Sequence, residues 1–518
     1  MGLNTFDFLS QRFIAGVLLA VLGAAAALGL SGCAANAPPL TVAIAAPPQW
    51  YAPLPSITTQ ATASIAVNAT STLPHNGSLT SLSQWWQQQN DPLLVELIDA
   101  AQRVSPSVIT ARSNIQQAQA AQVVSFAALL PTVDAIAGLN RALPAPINQT
   151  ATPRIIRSGQ AGLQTSWEID LFGQNEASFN ADKERFLGSQ ARWHEARVLV
   201  AAEVAMLYYG LRACEKQLQV VDADARSRLQ TSRLNEQLTK AGFVAPATAV
   251  LARASAAEGN SRLTVQRAEC EISIKALVAL TAWPEPELKQ KLATAAPASL
   301  QQGIVGISSV PAEVLGQRPD VYNAARELTA ASFEVGSARA QRYPRLSIGG
   351  SIARNNVSAQ GFRRSFDTWS LGPIALTIPL FDGGAAEANV DAAKARYEEA
   401  AGRYRGIVRQ AVREVEEALI SLQSTADRGD DAVVATQGYK ASFAGTEARY
   451  KAGLASLVEL EDARRTLLAA QSALVSLERE RRSAWIALYR ALGGGWTTAA
   501  PPATPMVFGI PEAFLPDW

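Results

Sequence analysis

Long stretches of the chain place an apolar residue at every third or fourth position. Val408, Val412, Val415, Leu419 and Leu422 do so, as do Leu460, Ala463, Leu467, Ala470, Leu474 and Leu477. Val200, Val204, Leu207, Leu211, Cys214 and Leu218 keep the same rhythm, and Leu263, Cys270, Ile274 and Leu277 keep it in part. A spacing that averages 3.5, sustained over several turns, predicts helices packed as coiled coils. Pattern and breakers place the long helical stretches at about 174–240, 246–282, 384–450 and 456–493. At 1.5 Å of rise per residue the longest would run roughly 100 Å, more than a globular core needs. Most of these apolar residues are simply core, so they establish architecture and not chemistry.

The pattern also occurs twice. Ser105-Pro106-Ser107-Val108 opens one helical stretch and Arg318-Pro319-Asp320-Val321 opens another; Leu130-Pro131 and Tyr343-Pro344 close them. Asp170-Leu171-Phe172-Gly173 recurs as Leu380-Phe381-Asp382-Gly383-Gly384, and Lys240-Ala241-Gly242 as Lys451-Ala452-Gly453. Landmarks in one order, about 210 residues apart, mark a duplicated unit. Each unit starts with a helix, at about 106–129 and 319–342, and a short extra helix from about 91 precedes the first. Two short segments of strand character follow, such as Arg345–Ile352 and Leu376–Phe381 in the second unit, and then the two long helices. The organisation expected is a signal segment 1–32, an extended Ala-, Pro-, Thr- and Ser-rich linker 33–80, a first repeat 81–300, a second repeat 301–495 and a tail 496–518.

The N-terminus decides the compartment. Phe13–Leu30 is apolar and uncharged behind Arg12, and Leu30-Ser31-Gly32-Cys33 follows at once. A basic flank, an apolar run and small residues at a cleavage point read as a secretory signal. The run also matches the lower length limit of a membrane-spanning helix, so an uncleaved anchor is the alternative. The Leu-Ser-Gly-Cys ending resembles the bacterial lipobox, in which the cysteine is acylated, palmitate included, and becomes the first residue. Ala34, in place of aspartate, suits release to the outer membrane. No other apolar stretch is long enough to cross a membrane as a helix, so the chain must hang from its lipid or cross as β-strands.

Composition narrows the chemistry. The net charge is +1 and charged residues make up 18% of the chain, which gives no footing for nucleic-acid binding. The only histidines are His75 and His194, far apart in sequence, and no nucleophile–base cluster, phosphate loop or metal-ligand spacing is present. Neither an enzyme nor a cofactor or metal site is expected. Cys214 and Cys270 are equidistant in sequence from Gly242, and both lie on the heptad seam. If the chain reverses near Gly242–Pro246, they meet on antiparallel helices, where an oxidising compartment favours a disulfide. Two buried free thiols are the alternative.

The stretches Arg318–Ser351 (RPDVYNAARELTAASFEVGSARAQRYPRLSIGGS), Thr377–Gly384 (TIPLFDGG) and Trp85–Ala101 (WWQQQNDPLLVELIDAA) resemble the TolC-like outer-membrane efflux proteins, particularly the lipoprotein branch serving RND-type pumps. The resemblance covers residues 80 to 495, with Gln174-Asn175 departing from the basic residue usual after Leu-Phe-Gly. It implies a mostly α fold with a small β part. The duplicated strand–long-helix units of three copies would form an α-barrel tunnel and a shared 12-stranded transmembrane β-barrel.

By position in that family, Val458, Asp462 and Arg465 would close the periplasmic end of the tunnel, Val458 as an apolar constriction and Asp462 as a ring of carboxylates met by Arg465. A solvated coiled-coil face accounts equally for any one of these charges. Lys240, Gly242, Lys451 and Gly453 at the tip turns would dock a periplasmic adaptor, or simply cap helices. Cys33 would carry the anchor in outer-membrane lipid. The function implied is the outer-membrane channel of a tripartite efflux system, a homotrimer working with an adaptor and an inner-membrane RND-type pump. It would passively conduct small toxic molecules to the exterior. A conduit for type I protein secretion and a pore-less coiled-coil envelope lipoprotein are the alternatives.

Overall fold

The structure, a computed structural model, describes residues 37–42, 51–52, 86, 91–143, 155–295, 315, 318–359, 362–495, 506–507 and 510–511. The signal segment, Cys33, His75 and most of the 33–80 linker and the tail lie outside the described residues. In chain order the elements are α1 (Pro92–Val104), α2 (Pro106–Ala127), β1 (Thr132–Ala142), β2 (Ile156–Ile169), α3 (Gln174–Lys240), α4 (Pro246–Thr281) and α5 (Glu285–Thr294). Then come α6 (Pro319–Ala340), β3 (Arg345–Ala359), β4 (Phe362–Thr377), α7 (Ala385–Lys451), α8 (Leu457–Ala491) and a tight turn at Gly493–Gly495. Short strands β5 (Met506–Val507) and β6 (Ile510–Pro511) pair with each other.

Helix–strand–strand–helix–helix therefore runs twice, as α2–β1–β2–α3–α4 and as α6–β3–β4–α7–α8. Helices α3 and α7 each contain 67 residues. Helix α5 has no counterpart in the heptad pattern. It rests on Leu288 and Leu292, one turn apart and both buried. The strands reach 11 to 16 residues and take in polar stretches such as Phe362–Ser370, while Ile378–Phe381 lies beyond β4. Ladder pairing, not side-chain hydrophobicity, sets their length.

The chain packs into two units. The first, within residues 1–42, 121–183 and 328–400, holds an antiparallel sheet of order β1-β2-β3-β4. Residues directly opposite in a ladder share a face, and successive residues alternate faces. Tracing the register assigns Val133, Ala135 and Leu139, Leu163 and Trp167, Ile348 and Ile352, and Trp369, Leu371 and Leu376 to one face. Trp369, Leu371 and Leu139 there are 80%, 79% and 95% exposed. The opposite face carries Asp134, Gln160, Gln164, Ser351, Asn355, Thr368 and Ser370. On it Ser351 and Ser370 hydroxyls bond across the strands at 2.8 Å, and Asn355 donates to Thr368 at 2.8 Å. Between Ile348 and Gly350 β4 advances three residues, Ile374 to Leu371, against two on β3, and this irregularity resets the alternation on β4. At Gly162 a Cβ would lie 2.2 Å from the Ile352 carbonyl oxygen, so this close strand approach requires glycine.

All four strands meet their helices at the same end of the sheet. There Asp170 accepts from the amides of Gln174 and Glu176, both at 2.7 Å, and caps the start of α3. Asp382 does the same for α7, accepting from Gly384 at 2.9 Å and Ala386 at 2.8 Å, and these amides hold its carboxyl below the usual range. The two aspartates sit on opposite sides of their Leu-Phe pairs, yet they do one job. Residues 37–42 are strapped along this unit: Ser332 donates to the Pro38 carbonyl at 2.6 Å, Tyr397 to that of Pro39 at 3.0 Å, and Thr329 to that of Leu40 at 3.1 Å.

The second unit, within residues 43–120, 184–327 and 401–518, is helical. Its core gathers the heptad residues Val200, Val204, Leu211, Leu277, Val408, Val415, Leu419 and Leu422 with Trp485 and Tyr489. Cys214 and Cys270, on α3 and α4, are joined by a disulfide with their Cα atoms 5.6 Å apart. Arg318, 5% exposed, ties three elements together. It grips Asp320 with two bonds of 3.0 and 2.7 Å, reaches Glu414 of α7 at 2.9 Å, and donates to the Ala491 carbonyl at the end of α8 at 2.9 Å. Burial among these acids, Asp320 first, pushes the nearby Glu195 carboxyl up. Burial and then Arg197 push His194 down to about 4, so the imidazole is uncharged at neutral pH.

Candidate functional site

Both long hairpins turn by the same device. After α3 the Gly242 amide bonds to the Thr239 carbonyl at 3.0 Å and the Phe243 amide to that of Leu238 at 2.9 Å. After α7 the Gly453 amide bonds to Tyr450 at 3.0 Å and the Leu454 amide to Arg449 at 2.8 Å. This is a Schellman stop, which needs a left-handed residue; Gly242 and Gly453 supply φ of 80° and 76°. The following helices start by different means. Helix α4 has Pro246 at its first position, and α8 has a capping box in which Glu459 donates its amide to Ser456 Oγ at 3.2 Å and accepts from the Ser456 amide at 2.6 Å. Those bonds hold the Glu459 carboxyl below its usual range. Phe243 and Leu454, just past each glycine, are 80% and 70% exposed. Two apolar side chains thus protrude from turns that also carry Lys240 and Lys451.

Val458, Asp462 and Arg465 lie four and three residues apart on α8 and share its exposed face. Val458 is 66% exposed, and Asp462 and Arg465 form an ion pair with each other. One helical face thus presents an apolar group beside a neutralised acid–base pair.

The buried side of α8 packs Leu457 and Leu460 against Ala252, and beside them it carries polar residues as well. Glu461 accepts from Arg228 at 2.7 Å and from Ser255 at 2.9 Å, and is paired with Arg464. Arg228 also holds Asp224 at 2.9 Å, and Arg464, 3% exposed, donates to Ser227 at 3.1 Å and Thr231 at 2.9 Å. Tyr450 of α7 donates to the fully buried Asn235 of α3 at 2.9 Å. This network links α3, α4, α7 and α8 directly behind the face that carries Val458, Asp462 and Arg465. None of its members was singled out from sequence, although Arg228, Ser232 and Asn235 fall where the α3 heptad seam would continue. A desolvated network of this kind is costly to leave half-satisfied, so it fixes the register of the two hairpins. No group of three or more His, Cys, Asp or Glu side chains arranged to hold a metal ion occurs among the described residues. No helix among them is long and apolar enough to cross a membrane.

Comparison with known proteins gives this architecture a context. The chain is 28% identical over 411 residues to the solvent efflux pump outer membrane protein SrpC of Pseudomonas putida, covering 79% of this chain and 87% of the relative. It is 28% identical to the pyoverdine export outer membrane protein OpmQ of Pseudomonas aeruginosa, over 91% and 96% of the two chains. Among solved structures, the CmeC outer membrane channel of Campylobacter jejuni superposes with a TM-score of 0.74 at 25% identity, covering 81% of this chain and 89% of that one. The sequence model of the family described as outer membrane efflux protein matches residues 97–282 and 310–494, one block for each repeat. The chain belongs to the outer membrane efflux protein family.

Proposed function

We propose that three copies of this chain assemble into one channel that carries small toxic molecules across the outer membrane, as the exit of a tripartite efflux system. The observation that carries this reading is the sheet. Towards the helices one face is apolar and exposed and the other is polar, and β1 and β4 each leave an edge unpaired among the described strands. Open edges are not tolerated in lipid, and four strands cannot close alone. Pairing β4 of one copy with β1 of the next would give a 12-stranded barrel, apolar outside and polar within. Exposed apolar residues along the long helices, among them Val265, Ile272, Ile420 and Val434, suit packing against neighbouring copies as an α-barrel.

In this reading the repeats 81–300 and 301–495 each supply two strands and one long hairpin. Cys33 carries the lipid anchor after removal of residues 1–32. Val458, Asp462 and Arg465 line the periplasmic constriction, and the turns at Lys240, Gly242, Lys451 and Gly453 meet a periplasmic adaptor. An inner-membrane RND-type pump supplies the energy, and the adaptor opens the tips by biasing a bistable helical bundle. Relatives are named for cargoes as different as solvents and pyoverdine, which suits a passive conduit whose cargo is chosen by its pump.

The reading is tested in planar bilayers. Folded, purified protein should conduct ions, and correctly folded trimer that passes no current would overturn the channel. Asp462→Ala removes the carboxylate ring and frees Arg465, and should change single-channel current by about twofold or more, upward. An unchanged current would remove Asp462 from the constriction.

A further inference from the structure

At the end of the sheet away from the helices, the apolar face changes character. Arg141 pairs directly with Arg157, Arg157 with Ser358, and Ser358 with Arg363, so three arginines stand in one transverse row on that face. All three are exposed. Arg354, two rows nearer the helices, has Asp367 as a partner at 3.8 Å. The row itself has no acid opposite it. No Asp or Glu occurs in sequence between Asp134 and Glu168, and Asp367 is the only one between Arg345 and Phe381. Like charges directly opposite in a ladder destabilise a sheet, and here they are placed so without internal compensation.

The height of the row fits a particular neighbour. From the Leu139–Gly159 pair to the Ile169–Leu346 pair the sheet spans about 33 Å along a strand. A tilt of about 40° turns this into the roughly 25 Å of an outer-membrane apolar band. The arginine row begins one step beyond that band, where lipid phosphates sit, while Arg354 inside it is paired with Asp367. Every cation on the four strands is arginine and none is lysine, the choice suited to forked bonds with phosphate oxygens.

We propose that Arg141, Arg157 and Arg363 form a binding row for the phosphate groups of an anionic lipid in the leaflet at the hairpin end of the sheet. The proposal rests on the barrel reading above. In the closed barrel β4 of one copy lies beside β1 of the next, which brings Arg363 towards Arg141 and joins the rows into a ring. Bridging phosphates would turn that repulsion into a seam between copies, and acyl chains would lie along Leu139, Leu163 and Trp369.

The probe is diphosphorylated lipid A, with its dephosphorylated form as control, added to trimer in phosphatidylcholine nanodiscs. Retained lipid is counted by native mass spectrometry, and channel current is recorded on the same preparations. Wild type should retain the phosphorylated form over the dephosphorylated one. The triple variant Arg141→Gln/Arg157→Gln/Arg363→Gln should retain at least about tenfold less of it while still conducting. Arg364→Gln, on the polar face, should retain it like wild type. Equal retention of both lipids, equal retention by the triple variant, or displacement by inorganic phosphate would each overturn the lipid row while leaving the channel standing. Wild-type trimer that neither inserts nor conducts would overturn both.

Discussion

Arg318→Met should cost about 3–5 kcal/mol of unfolding stability, read as a fall in the urea midpoint or melting temperature of the purified protein. The arginine is 5% exposed and satisfies two carboxylates and a helix-end carbonyl at once. Methionine keeps an unbranched apolar stem in place of the arginine stem, so the packing lost is that of the guanidinium head alone. What remains is Asp320, Glu414 and the Ala491 carbonyl, buried or half-buried without their donor. The cost comes from those uncompensated groups more than from the loss of attraction. Arg318→Met combined with Asp320→Asn and Glu414→Gln should therefore recover part of the loss. A single variant within about 0.5 kcal/mol of wild type would show that the Arg-Pro-Asp motif has no such structural role.

The second large effect concerns the first hairpin. Cys214→Ala/Cys270→Ala should lower stability by about 4 kcal/mol in the chain-entropy view, because the bond closes a long loop. The two residues are separated by 56 positions, and the bond staples α3 to α4 on the heptad seam. Alanine fills the seam poorly, so the control is wild type with and without reductant, measured by the same denaturation. The α7–α8 hairpin has no cysteine and should show no reductant dependence of its own. Identical midpoints in oxidised and reduced protein would contradict a stabilising role.

Much of this architecture is legible in the sequence. The long helices begin and end within two residues of where heptads, prolines and glycines put them, because helix periodicity and Schellman stops are local signals. The strands were less legible for two physical reasons. The extra residue between Leu371 and Ile374 breaks the alternation on β4, and on β3 and β4 the apolar face fills only the helix-proximal part. The arginine row is invisible in one dimension, since Arg141, Arg157 and Arg363 become neighbours only through the register. The network behind the candidate constriction was readable but hidden by a rule of thumb. The seam from Val200 to Leu218 continues through Val221 and Ala225 to Arg228, Ser232 and Asn235, and there polar residues occupy the buried positions. A search for apolar heptads stops where this one turns polar, yet the turn to polar is the informative part.

The strap of residues 37–42 bears on the anchor as well. Pro38, Pro39 and Leu40 offer their carbonyls to Ser332, Tyr397 and Thr329, and the two prolines have no amide hydrogen to leave unsatisfied. If Cys33 is lipidated as proposed, its leash to the first fixed carbonyl is five residues, at most about 18 Å. A tether that short works as a depth gauge. The acyl chains could enter the bilayer only beside α6 and α7, near the sheet they join, so inserting lipid and inserting strands would become steps of one event. A longer leash would uncouple them: inserting a flexible glycine–serine segment after Ala34 should leave the protein lipidated but let anchoring and barrel formation occur independently.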